Sequence, residues 1–179
     1  MAEGRFVFPA AVEGLIKGVG PRATPEFRAH MKKKGIDFER IPPAIPIETW
    51  SPLLVEAAVF TWPTETKEEA MRLLGLHFIR GWKDTVIGSA ASMMLKVLGP
   101  KRTLTRLDRA FRTSDNFSTA TTELIGSNEA LVTIGECLGY PSHWVGILQG
   151  GLEVLGREGS VTVQEVKLPQ AILRVTWAD

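Results

Sequence analysis

Cysteine is all but missing from this sequence. Cys137 stands alone, which excludes an internal disulfide framework and any metal site built on several thiolates. One thiol fits a reducing cytoplasm. Histidine is scarce as well: His30, His77 and His143 lie far apart. No two stand at metal-ligand spacing such as i, i+4, and no carboxylate accompanies them in a motif. Charge of either sign is not in excess. Lys+Arg 21 against Asp+Glu 20 leaves a net charge of +1, which argues against a dedicated nucleic-acid binder. The most apolar run, Thr85 to Leu98, is too short to span a bilayer and contains Lys96. The N-terminus carries Glu3 and Glu13 and lacks the pattern of a secretory signal. Gly-x-Gly-x-x-Gly after a strand, a phosphate-binding Gly-x-x-x-x-Gly-Lys-Ser/Thr and a Gly-x-Ser-x-Gly elbow are all absent. These absences predict a cytoplasmic protein that is not an enzyme, carries no cofactor or metal, and binds neither nucleic acid nor membrane.

What is present is enough apolar surface for a core. The chain has 179 residues, 44% of them hydrophobic, and reads most simply as one domain over 1–179. Its organising stretch runs from Gly99 to Phe117, which divides a helical lobe (1–98) from an α+β lobe (99–179). In the first lobe, Arg5–Phe8 reads as a short strand and Ala10–Lys17 as a helical segment ended by Gly18-Val-Gly-Pro21. Thr24 before Pro25 predicts a capped helix over Pro25–Lys34, with Lys32–Lys34 suited to its negative end. Three prolines make Ile41–Pro46 an extended connector. Trp50–Thr61 reads as a helix with Leu53, Leu54, Ala57 and Phe60 inward. Thr66 and Glu69 match a capping box at the start of the longest helical stretch. Met71, Leu74, Phe78, Trp82 and Thr85 form its apolar stripe, continued by Ser89 and Met93, with a bend expected at Gly81–Lys83. The small residues Gly88–Ser92 place that segment at the centre of the lobe. Gly99-Pro100 is the stop.

Beyond the junction the period changes from helix to strand. Thr119–Ile125 and Ala130–Gly135 flank a hairpin loop. Ser142 is the expected cap of a helix from His143 to about Gly156. Gly146, Gly150 and Gly151 are costly there unless something packs closely. Val161–Val166 and Ala171–Trp177 are the cleanest strands. The expected fold class is α+β: a helical lobe followed by a four-stranded, largely antiparallel sheet in strand-strand-helix-strand-strand order. The five tryptophans read as core or interface anchors.

One row of cations stands out against the neutral background. Arg102, Arg106 and Arg109 recur at i, i+4 and i+7, while Leu104, Leu107 and Phe111 recur on another face. Arg112 and Asn116 follow at the helix end. Guanidinium groups pair bidentately with carboxylate and phosphate, so these five residues are the candidate ligand-binding set, for an anionic small molecule or an acidic protein surface. As a solvated helix face the row needs no function.

Several blocks carry a family resemblance. Val12–Leu15, Leu98–Leu104, Phe111–Phe117, the helix Gly146-x-Leu148-x-Gly-x-Leu152-Glu and the final Arg-Val-Thr-Trp177 strand resemble a myxobacterial family of uncharacterised paralogues, a domain of unknown function. The back half is similar, more distantly, to the superfamily that groups haem–nitric-oxide/oxygen sensors with vinyl-reductase-type ligand-binding domains. That likeness rests on a hairpin, a helix such as Trp144–Leu152 and a second hairpin. It implies a helical lobe packed on the four-stranded sheet, with any pocket between them. The sensors hold iron by a histidine on a helix shortly before the first hairpin, whereas no histidine occurs here between His77 and His143. Of their Tyr-x-Ser-x-Arg clamp, Tyr140-Pro-Ser142 keeps two letters and Trp144 takes the arginine's place. The leading expectation is a non-enzymatic sensory or scaffold module that binds a small apolar or anionic ligand or a protein partner. A homodimer is compatible with this. A haem-type gas sensor is the alternative, and an enzyme of unknown class the third.

Overall fold

The computed structural model describes residues 4–178. A short strand β1 (Phe6–Val7) leads into α1 (Pro9–Val19), a 3-10 turn at Gly20–Arg22 and α2 (Pro25–Lys33). Strand β2 (Ile45–Pro46) pairs antiparallel with β1 and opens α3 (Ile47–Thr61). Then come α4 (Lys67–Lys83), α5 (Val86–Leu104) and α6 (Leu107–Phe111). The second half is β3 (Ala120–Gly126), β4 (Glu129–Ile134), α7 (Pro141–Val154), β5 (Gly159–Lys167) and β6 (Gln170–Trp177). The last four strands form one antiparallel sheet in the order β3-β4-β6-β5. The fold class is therefore the expected α+β, with strand-strand-helix-strand-strand order.

Local chemistry explains the helix starts. Thr24 Oγ1 accepts the Phe27 N–H at 3.3 Å. Thr66 accepts from Glu69 at 3.2 Å and Thr85 from Gly88 at 3.0 Å, as N-cap side chains do. Only half of the expected capping box forms, because the Glu69 carboxylate turns to Arg72 instead. Pro141, not Ser142, opens α7: the N-cap is Tyr140, with no side-chain cap. Proline suits a first helical position because it has no N–H to satisfy.

Two apolar clusters make the core. One joins α1, α2, α3 and α4 around Leu15, Phe27, Met31, Leu53 and Leu74. The other is the inner sheet face, where Val132, Ile134, Leu173 and Val175 alternate with outward residues, covered by α7 through Trp144 and Leu148. Ile79 on α4 packs against both. Each fully buried aliphatic or aromatic side chain contributes about 1.5–3 kcal/mol.

Glycines let α4 sit close to its neighbours on two sides. A methyl on Gly81 would stand 2.1 Å from Gly18 N on α1, and one on Gly146 of α7 would stand 1.9 Å from Arg72 O. Gly18 thus lies inside α1, which runs to Val19, instead of ending it. Gly151 faces open space, so its cost to the helix has no packing return.

Helix α5 departs most from expectation. The long stretch breaks at Asp84–Thr85, just after the expected bend. Gly88 is buried beneath Trp82 O, but Ser89 is exposed, and Val86 and Val97 are 89% and 87% exposed. The small-residue run is therefore not the centre of the lobe; α4 takes that place because its glycines face backbone. Met93 leaves the stripe for solvent, and Phe60 is likewise partly exposed. Gly99, at φ +72°, kinks α5 before Pro100.

Among the described residues, no helix is long and apolar enough to cross a membrane.

Candidate functional site

An apolar cavity of about 140 Å³ lies between the helical lobe and α7. Phe78, Ile79 and Trp82 supply the α4 wall; Thr103 and Leu104 come from the end of α5. Leu107 and Phe111 close the α6 side, and His143, Trp144 and Leu148 form the α7 wall. The position of each wall follows from the chain's own bonds. Thr122 Oγ1 donates to Leu104 O at 2.8 Å, tying the end of α5 to the first strand of the sheet. Phe111 meets the Trp144 ring edge-to-face at 5.1 Å, an arrangement favoured by the ring quadrupoles.

Two polar atoms in this wall are orphans. Thr103 Oγ1 and Trp144 Nε1 are buried and have no hydrogen-bond partner among the described residues. Their residues are 9% and 5% exposed, so solvent does not compensate them. A buried donor left unpaired costs about 1–3 kcal/mol.

His143 is buried beside them. Its Nδ1 lies 3.4 Å from Met71 O, a long contact. Burial lowers its pKa from 6.5 to about 4, with the Met71 carbonyl opposing that shift. The imidazole is therefore neutral at pH 7. Asp115, also in the lining, is raised by burial, against the hydrogen bonds it accepts. Its Oδ1 accepts the Phe117 and Ser118 N–H groups at 3.0 and 2.6 Å, and its Oδ2 accepts the Ser118 hydroxyl at 2.8 Å.

The arginine row does not form one helix face. The chain leaves the helix at Thr105–Arg106, and Arg106 is the N-cap of α6 with φ −123° and ψ 13°. Thr105 bonds back to Lys101 and Arg102 carbonyls through its hydroxyl, the local competition that ends helices. Arg102 thus belongs to α5 and Arg109 to α6. All three are exposed, and none has a carboxylate partner among the described residues. Arg112 pairs with Asp108 at 3.0 Å on the surface. Asn116 is held elsewhere: Phe6 N–H donates to its Oδ1 at 2.7 Å, and its Nδ2 donates to Gly4 O at 3.0 Å. None of the five lines the cavity. Leu104 is buried as expected, while Leu107 and Phe111 are half-buried at the cavity edge.

Sequence reasoning missed the site residues Thr103, Asp115 and, as a pair, His143 with Trp144. The signal was weak: Thr103 lies among Lys101, Arg102 and Arg106, and Asp115 among Ser114 and Asn116, so neither polar residue stands out from its neighbours. Among the described residues, no cluster of His, Cys, Asp and Glu could hold a metal ion.

Residues 5–178 match the family described as Protein of unknown function (DUF2378), and the chain belongs to it. No curated protein matches the sequence. Solved structures do resemble it. An H-NOX protein from S. oneidensis in the Fe(II)NO ligation state aligns with TM-score 0.75 at 7% identity, covering 96% of this chain and 99% of that one. An oxygen-binding H-NOX domain related to soluble guanylate cyclases aligns with TM-score 0.70 at 13% identity, covering 94% and 93%. An Fe(II) unliganded H-NOX variant from K. algicida gives 0.63 at 10% identity, covering 95% and 96%. At these identities the likeness concerns the fold: the chain has an H-NOX-like architecture.

Proposed function

We propose that this chain is a sensory module that holds a small, largely apolar molecule in the cavity between α4 and α7. The observation that carries this reading is that cavity, lined by apolar side chains, with two unpartnered polar atoms in the residues of its wall. Its volume of about 140 Å³ resembles cavities of roughly 150 Å³ that take benzene or xenon. Helices from both halves of the chain make its walls, so an occupant would bias how the lobes meet. That is what a sensor requires: differential contact with two arrangements. No chemical step is assigned.

A haem-type gas sensor is the second reading. The H-NOX neighbours favour it over a pure scaffold role. Haem itself does not fit the residues present. The cavity falls well short of the roughly 300–1,000 Å³ of pockets for drug-sized ligands. Among the described residues no Lys or Arg lines it to meet two propionates; α5 and α6 offer it Thr103, Leu104, Leu107 and Phe111, and the turn before β3 offers Asp115 and Ser118. Among the described residues, the only imidazole in its wall is His143. The exposed Arg102, Arg106 and Arg109 are proposed separately as a surface for an acidic partner, on the strength of their exposure without counter-ions.

Titration with toluene, read by tryptophan emission, tests the leading reading. Saturable one-to-one quenching is expected, and its absence would remove it. Equimolar haemin tests the second. A sharp, stoichiometric Soret shift abolished by His143→Ala would reverse the ranking.

A further inference from the structure

The two orphaned polar atoms say more about the occupant than the cavity's size does. We infer that the ligand is a neutral molecule of about benzene size that carries a hydrogen-bond-accepting oxygen, of which a small cyclic ketone is the simplest case. This rests on the proposal that the cavity is the ligand site.

Trp144 Nε1–H can only donate, and it is buried without an acceptor. A pure hydrocarbon would fill the space and leave that donor unpaired. A carbonyl oxygen accepts from it and retains a second lone pair. The Thr103 hydroxyl, also unpartnered, adds a further donor in the same wall. Both residues are nine-tenths or more buried, so the pairing would occur in a low-dielectric setting where it counts most.

Charge excludes the neighbouring chemical classes. An anion would find no Lys or Arg in the lining and would share the cavity with Asp115. The buried His143 supplies no compensating charge at neutral pH. An ammonium ion would find one carboxylate, but the oxygens of Asp115 already accept from Phe117 and Ser118. Being a donor itself, it would leave Trp144 unpaired. A bridging water is the remaining competitor, since a polar niche of sufficient size can hold one.

The test uses the full chain and three probes of matched size: cyclohexanone, methylcyclohexane and cyclohexanecarboxylate. Binding is followed by tryptophan emission and by the Trp144 indole N–H resonance. Cyclohexanone should shift that resonance downfield. Trp144→Phe keeps the ring contact with Phe111 and removes the donor. It should weaken cyclohexanone binding about fivefold to tenfold more than methylcyclohexane binding, the worth of one hydrogen bond, whatever the smaller ring does to both. Thr103→Val, close in shape, should act in the same direction and serves alone if Trp144→Phe disturbs the fold. Cyclohexanecarboxylate should not compete. If both variants weaken ketone and hydrocarbon equally or not at all, a water satisfies the donors and the inference fails while the cavity reading stands. Tighter binding of the carboxylate would also overturn it. If neither neutral probe binds, both fall together.

Discussion

A methyl group added to Gly75 would stand 2.0 Å from the carbonyl oxygen of His143. Helices α4 and α7 therefore touch backbone to backbone where the α7 wall of the cavity begins. No rotamer relieves such a clash, because the atom that must move is main chain. Gly75→Ala should cost more than about 2 kcal/mol, in the range of overpacked cores, by urea unfolding. Gly151→Ala is the internal contrast: it meets nothing within 4 Å and should gain about 0.5–1 kcal/mol from helix propensity. Equal effects at the two sites would contradict the close approach.

Acid should loosen the fold through His143. Burial holds its imidazole at about 4 in the native state, against about 6.5 in an unfolded chain. Between those values the unfolded state binds more protons, so stability rises with pH and is lost as pH falls from 6.5 towards 4. His77 is also lowered, by burial first and then by Arg80, and adds in the same direction. Asp115 is raised by burial and acts oppositely, favouring the fold as pH falls in the window just above 3.8. The His143 contribution should approach about 1.4 kcal/mol per pH unit. It should disappear in His143→Gln, as measured by unfolding at pH 7, 6 and 5. An unchanged slope in the variant would contradict the neutral buried imidazole.

Thr103→Val should stabilise the ligand-free protein. It removes an unpartnered buried hydroxyl and replaces it by a methyl of similar size. A gain of about 1 kcal/mol is expected, read as a raised Tm. A loss of that size would mean that Thr103 already has a partner, such as an ordered water.

The strand Ala171–Trp177 was legible in the sequence because alternation with one buried face admits one register. The α4 stripe was legible for the same reason at helical period. Val161–Val166 was legible by its β-branched residues, although only Val161 is buried and a bulge follows Val163. Helix α5 was not: of Gly88–Ser92 only Gly88 and Ser92 are buried, while Ser89, Ala90 and Met93 face solvent, and small or apolar side chains alone do not say which of them a neighbour covers. The cavity was invisible because its parts come from α4, α5, α6 and α7, and its unpartnered polar atoms belong to a threonine in the basic run 101–106 and a tryptophan that reads as core. The arginine row was a true spacing on a helix that Thr105 and Arg106 interrupt.

Arg106→Gln with Arg109→Gln tests that surface. Both side chains are exposed and without carboxylate partners among the described residues, so stability should move by less than about 0.5 kcal/mol. Binding of an acidic partner should weaken and lose its salt dependence. A stability loss above about 3 kcal/mol would reveal a buried counter-ion instead.

Diffraction from crystals held under xenon pressure tests the cavity itself. Xenon enters apolar space of this size without needing any polar contact. One strong xenon peak is predicted between Phe78 and Ile79 on one wall and Trp144 and Leu148 on the other, with the helices unmoved. A collapsed space with no xenon between α4 and α7, or a site already filled by a macrocycle ligated through His143, would contradict a small neutral ligand as what this chain senses.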